Sequence, residues 1–246
     1  MASSNKAGSL VGCLPGGTAV LAAPAPPFAG CWHLQGRRPD RDLYQGSAAI
    51  RREGEIWRAS WGLESQPKLY SGAGLPYGRS LVTSRSPASE TTAGVVVYSR
   101  ADDGSLSAVW NRDSLCGNLT GTGEATARGP IDGFAGSYEI RYQAPDGKLF
   151  PPQLLVIERQ GESYALEWSS LAADGSDCPQ PSLTGAGILL DQCHLAAGWA
   201  EPNIASEVIL YEPTDDGDEL AGRWATESTA SIGEESLRRV EEITDG

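Results

Sequence analysis

The chain has 246 residues, 40% of them hydrophobic, and carries 32 Asp and Glu against 19 Lys and Arg, a formal charge of -13. That excess of negative charge repels phosphate backbones and anionic headgroups, and no stretch approaches the roughly 20 apolar residues of a helical membrane span, so neither nucleic acid nor a membrane is expected as a partner. The length suffices for two domains of about 100–120 residues, each able to bury a core, and the acidic residues are dispersed as on a solvated surface.

Residues 1–27 come first, with one Lys and an apolar stretch, Ala19 to Ala23, that ends at Pro24-Ala25-Pro26-Pro27. A secretory segment needs about 7–15 uninterrupted apolar residues behind a basic start. Leu10-Val11-Gly12-Cys13 has the form of a lipid-attachment box, but what precedes it is too short and polar to insert. The segment is therefore expected to be a flexible extension of a cytoplasmic protein. Five cysteines, Cys13, Cys31, Cys116, Cys178 and Cys193, are an odd number that fits a reducing compartment better than a disulfide framework. Cys178 with Cys193 is the one pair worth testing.

From residue 28 the chain repeats itself. Phe28-Ala29-Gly30-Cys31-Trp32 returns as Phe134-Ala135-Gly136-Ser137-Tyr138, Pro39-Asp40 as Pro145-Asp146, and Leu43-Tyr44 as Leu149-Phe150. After one inserted residue, Gly54-Glu55-Ile56-Trp57 and Trp61 answer to Gly161-Glu162-Ser163-Tyr164 and Trp168. Gly72-Ala73-Gly74 becomes Gly185-Ala186-Gly187, Tyr98 becomes Tyr211, Trp110 becomes Trp224, and Gly123-Glu124 is matched to Gly233-Glu234. A duplication of this kind fixes the architecture before any single strand does.

Within each copy, short runs alternate with period two between turn residues such as Asp103-Gly104, Asp146-Gly147 and Asp216-Gly217, the pattern of consecutive antiparallel strands. In the second copy these runs lie near Gly136–Tyr142, Leu149–Arg159, Ser163–Ser170, Ser182–Leu190, Cys193–Ala200, Glu207–Tyr211, Glu219–Ala225 and Ser231–Val240. Eight hairpin-linked strands close on themselves and remove their own edges. The expected fold is all-β: two tandem antiparallel up-and-down barrels from an internal duplication, over residues 28–128 and 134–243.

Gly30-Cys31-Trp32, at the start of the first strand, resembles the G-x-W motif that opens the lipocalin, fatty-acid-binding protein and avidin barrels, the calycins; Gly136-Ser137-Tyr138 is a softened copy. The resemblance implies a cup-shaped barrel for apolar ligands. It also implies a basic residue from the last strand over the Trp, for which Arg128 and Arg238 or Arg239 are placed.

Alternation assigns faces. Trp57, Ala59 and Trp61 share the lumen face, like Tyr164, Leu166 and Trp168, and so do Trp32, Leu34 and Gly36 beside Tyr138, Ile140 and Tyr142. Tyr44, Gly46, Ala48 and Ile50 are matched to Phe150, Pro152, Leu154 and Val156. The first copy thus has Gly36, Gly46, Ala48 and Ala59 where the second has larger residues, so the first lumen is expected to be hollow and the second filled.

Tyr70, Thr83 and Arg85, standing where the second copy has Leu183, Ala197 and Trp199, would bring polar groups to a cavity walled by Trp32, Trp57, Trp61 and Trp110. A buried Arg85 implies a carboxylate or enolate on the ligand, or a partner such as Glu64; the other reading is a solvated Arg85 past the strand end. Core tryptophans and bend-forming glycines are the corresponding plain readings of the rest.

His33 and His194 are both expected to face outward, without the convergent carboxylates that a metal site or a Ser-His-Asp triad needs. No Cys-x-x-Cys, G-x-S-x-G, phosphate loop or dinucleotide fingerprint occurs, so no metal or cofactor is implied. Glu124 and Glu234 recur in both copies, which argues for a structural task. The leading expectation is a cofactor-independent cyclase or isomerase acting on an apolar, possibly anionic, small molecule, with Tyr70, Arg85 and Thr83 assisting. The analogy is to cofactor-free cyclases of bacterial polyketide pathways that use calycin-like barrels. A non-catalytic carrier or sensor, and an adhesion or scaffold protein with filled barrels, are the alternatives.

Overall fold

The computed structural model describes residues 28–88, 93–171 and 182–240, apart from the side chains of Asp113 and Ser114. The extension 1–27 and Cys178 lie outside these residues, while Cys193 is held in a disulfide. The first repeat supplies β1 (Gly30–Arg37), β2 (Leu43–Glu53), β3 (Ile56–Leu63), β4 (Leu69–Tyr77), β5 (Ser80–Pro87), β6 (Gly94–Arg100), β7 (Leu106–Asn111) and β8 (Gly121–Ala127). A single helical turn, α1 (Asp113–Cys116), follows β7. The second repeat supplies β9 (Gly136–Gln143), β10 (Gln153–Gln160), β11 (Ser163–Ser170), β12 (Leu183–Asp191), β13 (His194–Ala200), β14 (Glu207–Pro213), β15 (Glu219–Thr226) and β16 (Gly233–Arg239). Gly54 and Gly161, both at φ +61°, turn the matching β2–β3 and β10–β11 hairpins, a backbone conformation that glycine adopts without steric cost.

The strands close two antiparallel eight-stranded barrels, as the repeat implies, but the barrels do not coincide with the repeats. One contains β1–β5 with β14–β16, and the other contains β6–β13. The second barrel is thus a continuous insertion between β5 and β14 of the first. The division into 28–128 and 134–243 is corrected accordingly: five strands of each repeat join three strands of the other. The reason it escapes pattern analysis is that β5 pairs with β14, and β13 with β6, using the ladders that each repeat could equally have closed on itself.

The exchange leaves a mark in the burial pattern. β5, β6, β13 and β14 are buried on both faces, one toward a lumen and one toward the other barrel. Val82, Val95, Val97, Ala186, Ile188, Ala196, Val208 and Leu210 form the apolar layer between the barrels. Gly198 permits close backbone approach there, because a Cβ at that position would stand 2.4 Å from the carbonyl oxygen of Glu207.

Two registers also differ from the sequence matching. Ala48 faces Trp32 across the β1–β2 ladder as Leu155 faces Tyr138, so the inserted residue precedes β10, and Leu155 and Ile157, not Leu154 and Val156, enter the lumen. Gly233 lies opposite Trp224 as Gly121 lies opposite Trp110, so Glu235 answers to Gly123, and Glu124 and Glu234 are exposed and not equivalent.

The topology predicts how fragments behave. A chain of residues 93–201 contains the whole second barrel and should give a folded β circular-dichroism spectrum, self-associating through its uncovered valine face. Residues 28–128, a sequence repeat but not a barrel, should give no folded monomer by circular dichroism and size-exclusion chromatography.

Candidate functional site

One end of the first barrel is sealed. Phe28 stacks edge-on against Trp57 with ring centroids 5.4 Å apart, and the Trp32 indole N–H donates to the Phe28 carbonyl at 3.1 Å. The guanidinium carbon of Arg239 lies 4.3 Å from the Trp32 ring centroid, and its Nη1 donates to the Ala29 carbonyl at 2.9 Å. Of the basic residues expected over this Trp, Arg239 takes the place, whereas Arg238 is exposed and pairs with Glu219.

The middle of the lumen is packed rather than hollow. A Cβ on Gly36 would stand 2.1 Å from the Tyr44 ring, so Tyr44 occupies the space that the glycine leaves. A Cβ on Gly46 would stand 2.1 Å from the Gly62 carbonyl oxygen, which makes Gly46 a point of close backbone approach. Trp32, Ala48, Trp57, Ala59 and Trp61 are core residues. The expected cavity at these positions is therefore corrected: it lies higher, at the mouth.

Beneath that mouth is a buried ionic network. Arg85 in β5 and Glu207 in β14 are direct cross-strand partners, and Arg85 Nε donates to Glu207 Oε2 at 2.5 Å. Arg85 Nη1 donates to Glu235 Oε2 at 2.9 Å, and the Tyr44 hydroxyl donates to the same oxygen at 2.6 Å. Glu235 Oε1 accepts from the Tyr211 hydroxyl, which in turn accepts from the Trp61 indole N–H at 2.9 Å. The Arg85 guanidinium lies 5.7 Å from the Trp61 ring centroid and 5.8 Å from that of Trp224. The Arg85 and Glu235 side chains are 3% and 0% exposed, while Glu207 at 22% is the member that reaches solvent.

The electrostatics follow from this arrangement. Burial alone would lower the Arg85 pKa, but the carboxylates of Glu207 and Glu235 outweigh it and hold the guanidinium firmly charged. Burial, reinforced by Glu235, pushes the Tyr44 and Tyr211 hydroxyls far above the ordinary tyrosine range, so both act as hydrogen-bond donors. Arg85 is neither solvated past a strand end nor paired with Glu64. Its charge is met twice over within the protein.

Above the network a cavity of 540 Å³ opens between the β1–β2 turn, the β3–β4 loop and the β15–β16 loop. Tyr44, Leu63, Tyr70, Trp224 and Ala230 supply apolar surface, and Arg38, Gln66, Arg85, Glu207 and Thr229 supply polar groups. The Tyr70 hydroxyl donates to Gln66 Oε1. Of the residues singled out from sequence, Tyr70 and Arg85 meet here. Thr83 is buried in the lumen nearby, its hydroxyl without a hydrogen-bond partner among the described residues. Trp110 is elsewhere: it belongs to the second barrel, and Trp224 holds its place in the first. Glu207, Glu235 and Trp224 were missed because they come from the other repeat.

The second barrel carries the same frame with different contents. Gly36, Tyr44, Arg85, Glu207 and Glu235 correspond to Tyr142, Phe150, Trp199, Gly94 and Gly123. A Cβ on Gly123 would meet the Tyr142 ring at 2.7 Å, and one on Gly94 would meet Trp199 at 2.2 Å, so aromatic rings fill the volume that ions occupy in the first barrel. The Tyr142 hydroxyl accepts from the Trp168 indole N–H at 2.9 Å and lies 2.6 Å from the Tyr98 hydroxyl. Burial pushes the Tyr142 pKa up to about 12. His194 faces outward, as expected, bonded to Asp191 at 2.9 Å. Among the described residues no group of His, Cys, Asp and Glu is placed to hold a metal ion.

No protein-family model matches the chain, and no curated protein is significantly similar to it.

Two outcomes are expected. Removing both carboxylates, Glu207→Ala with Glu235→Ala, strands the buried Arg85 charge and should cost about 3–5 kcal/mol in urea denaturation, whereas transplanting the second barrel's set (Gly36→Tyr, Tyr44→Phe, Arg85→Trp, Glu207→Gly, Glu235→Gly) should restore most of that loss. In alkaline titration the folded state holds the Tyr44 and Tyr211 protons that the unfolded state releases. Stability is therefore fully present below about pH 10 and falls above it, and the phenolate absorbance of these residues should appear only as the protein unfolds.

Proposed function

We propose that the first barrel binds an apolar small molecule at its mouth, with the polar end of the ligand against Glu207, Tyr70 and Gln66, and converts it without a cofactor by cyclisation or isomerisation. The observation that carries this is the 540 Å³ cavity resting on the Arg85–Glu207–Glu235 network, since buried ions facing a cleft mark sites where polarity serves a ligand. The closed eight-stranded form, the Gly30-Cys31-Trp32 start and Arg239 over Trp32 support a calycin-like reading. An anionic ligand is not favoured, because two carboxylates already surround the one deep cation. A neutral ligand with a hydrogen-bonding end fits better.

The chemistry available is orientation and polarisation. The aromatic and aliphatic walls would hold a flexible substrate folded, and a substrate oxygen could take the Tyr70 proton donor in place of Gln66. The same saturation of Arg85 favours the second reading, a carrier or sensor, because it ties up the buried charged groups beneath the mouth. The disulfide at Cys193 favours an oxidising compartment over the cytoplasm.

Titration with the neutral apolar fluorophore N-phenyl-1-naphthylamine tests the site. Wild type should bind it, Gln66→Trp at the first mouth should weaken binding by about tenfold or more, and Leu183→Trp at the mouth of the second barrel should leave it unchanged. Absence of binding, or loss through Leu183→Trp alone, would overturn the assignment. Turnover of a bound polyene then separates enzyme from carrier, since a carrier returns it unaltered.

A further inference from the structure

The mouth of the second barrel differs in kind from that of the first. Its cavity of 210 Å³ is walled by Trp110, Tyr142, Phe150, Trp168 and Trp199. Trp110 meets Tyr142 and Phe150 edge-on, with centroids 5.6 Å and 5.9 Å apart, so the rings brace one another. Arg112 stands at the edge of this cage, its guanidinium carbon 5.8 Å from the Trp199 ring centroid. No Asp or Glu lines the cavity among the described residues.

The backbone of Arg112 is fixed in place. It follows directly from β7, and its carbonyl accepts from the amides of Leu115 and Cys116 at 3.0 Å and 2.8 Å, closing the turn of α1. Beside it, the Asn111 side-chain amide donates to the carbonyls of Gly117 and Leu119 at 3.1 Å and 2.7 Å, which pins the loop after the turn. Yet Arg112 Nε is buried and has no hydrogen-bond partner among the described residues. In the first barrel the corresponding position is Thr226, and the cation of that lumen, Arg85, is enclosed by carboxylates. The deep cation of the first mouth is already paired with carboxylates, whereas the second mouth has a cation and no Asp or Glu among its described lining residues.

We propose that the mouth of the second barrel is a separate binding site for a small apolar carboxylic acid, its hydrocarbon or aromatic body inside the tryptophan cage and its carboxylate on Arg112. A guanidinium presents a planar fork of donors that suits a carboxylate, and a cation held on an aromatic rim with an unmet N–H is met best by an anion with an apolar tail. The volume falls below the roughly 300–1,000 Å³ of drug-sized sites, which limits the acid to a short chain or a single ring. The site shares no lining residue with the first mouth, so either assignment can fail without the other.

Isothermal titration of the full chain with phenylacetate and with its neutral isostere phenylacetamide tests this. The acid should bind about tenfold or more tightly than the amide, the preference expected of a charge-assisted pair. Arg112→Gln should bring the acid down to the affinity of the amide, Leu183→Trp should remove both, and Gln66→Trp in the first barrel should change neither. Near-ultraviolet circular dichroism establishes that each variant keeps its packed aromatics. Equal affinity for acid and amide, a preference that survives Arg112→Gln, loss through Gln66→Trp, or no binding to wild type would each overturn the assignment.

Discussion

Two backbone ladders, β5 with β14 and β6 with β13, hold the molecule together. Without them each barrel is an open sheet with two exposed edges; with them every edge is paired and both barrels close. Because these four strands also carry the apolar layer between the barrels, closure and docking are one event. The valine-rich run of β6 and the Val208–Tyr211 run of β14 read as continuous rather than alternating for that reason: both of their faces are covered.

The same exchange sets the chemistry. Each lumen is assembled from both repeats, so the ionic network of the first barrel joins Tyr44 and Arg85 of one copy to Glu207, Tyr211 and Glu235 of the other. In the second barrel all five varied positions of the frame change together, ions giving way to rings of matching volume. Arg85 could not outlast the loss of both carboxylates, since a lone buried charge costs far more than the intact cluster. The duplication therefore diverged as two whole interiors.

Much of this was legible in the residues. The duplication, the strand count, the closed barrels and the inward faces of Trp32, Trp57 and Trp61 all follow from period-two alternation and self-similarity. The swap did not, because strand pairing within a copy and between copies buries identical residues. With the swap hidden, Trp110 was assigned to the wrong lumen, and Glu207 and Glu235 had no reason to be set beside Arg85. The glycines misled for another reason: absence of a side chain marks space only if nothing else enters it, and at Gly36 the Tyr44 ring does. The one-residue slip before β10 shows how far a period of two magnifies a misplaced insertion, since it turns a whole strand inside out.

The insertion of one barrel within the other bears on how the chain is made. As it leaves the ribosome, β1–β5 is complete well before β14, about 120 residues later, which at usual synthesis rates is roughly 6–24 seconds. By the end of that interval the inner barrel has gained all its strands and can close, while the outer one has waited as a five-stranded sheet with Arg85 unpaired and both edges open. The part of the protein that begins first finishes last, and the finished inner barrel gives it the valine face on which to wait.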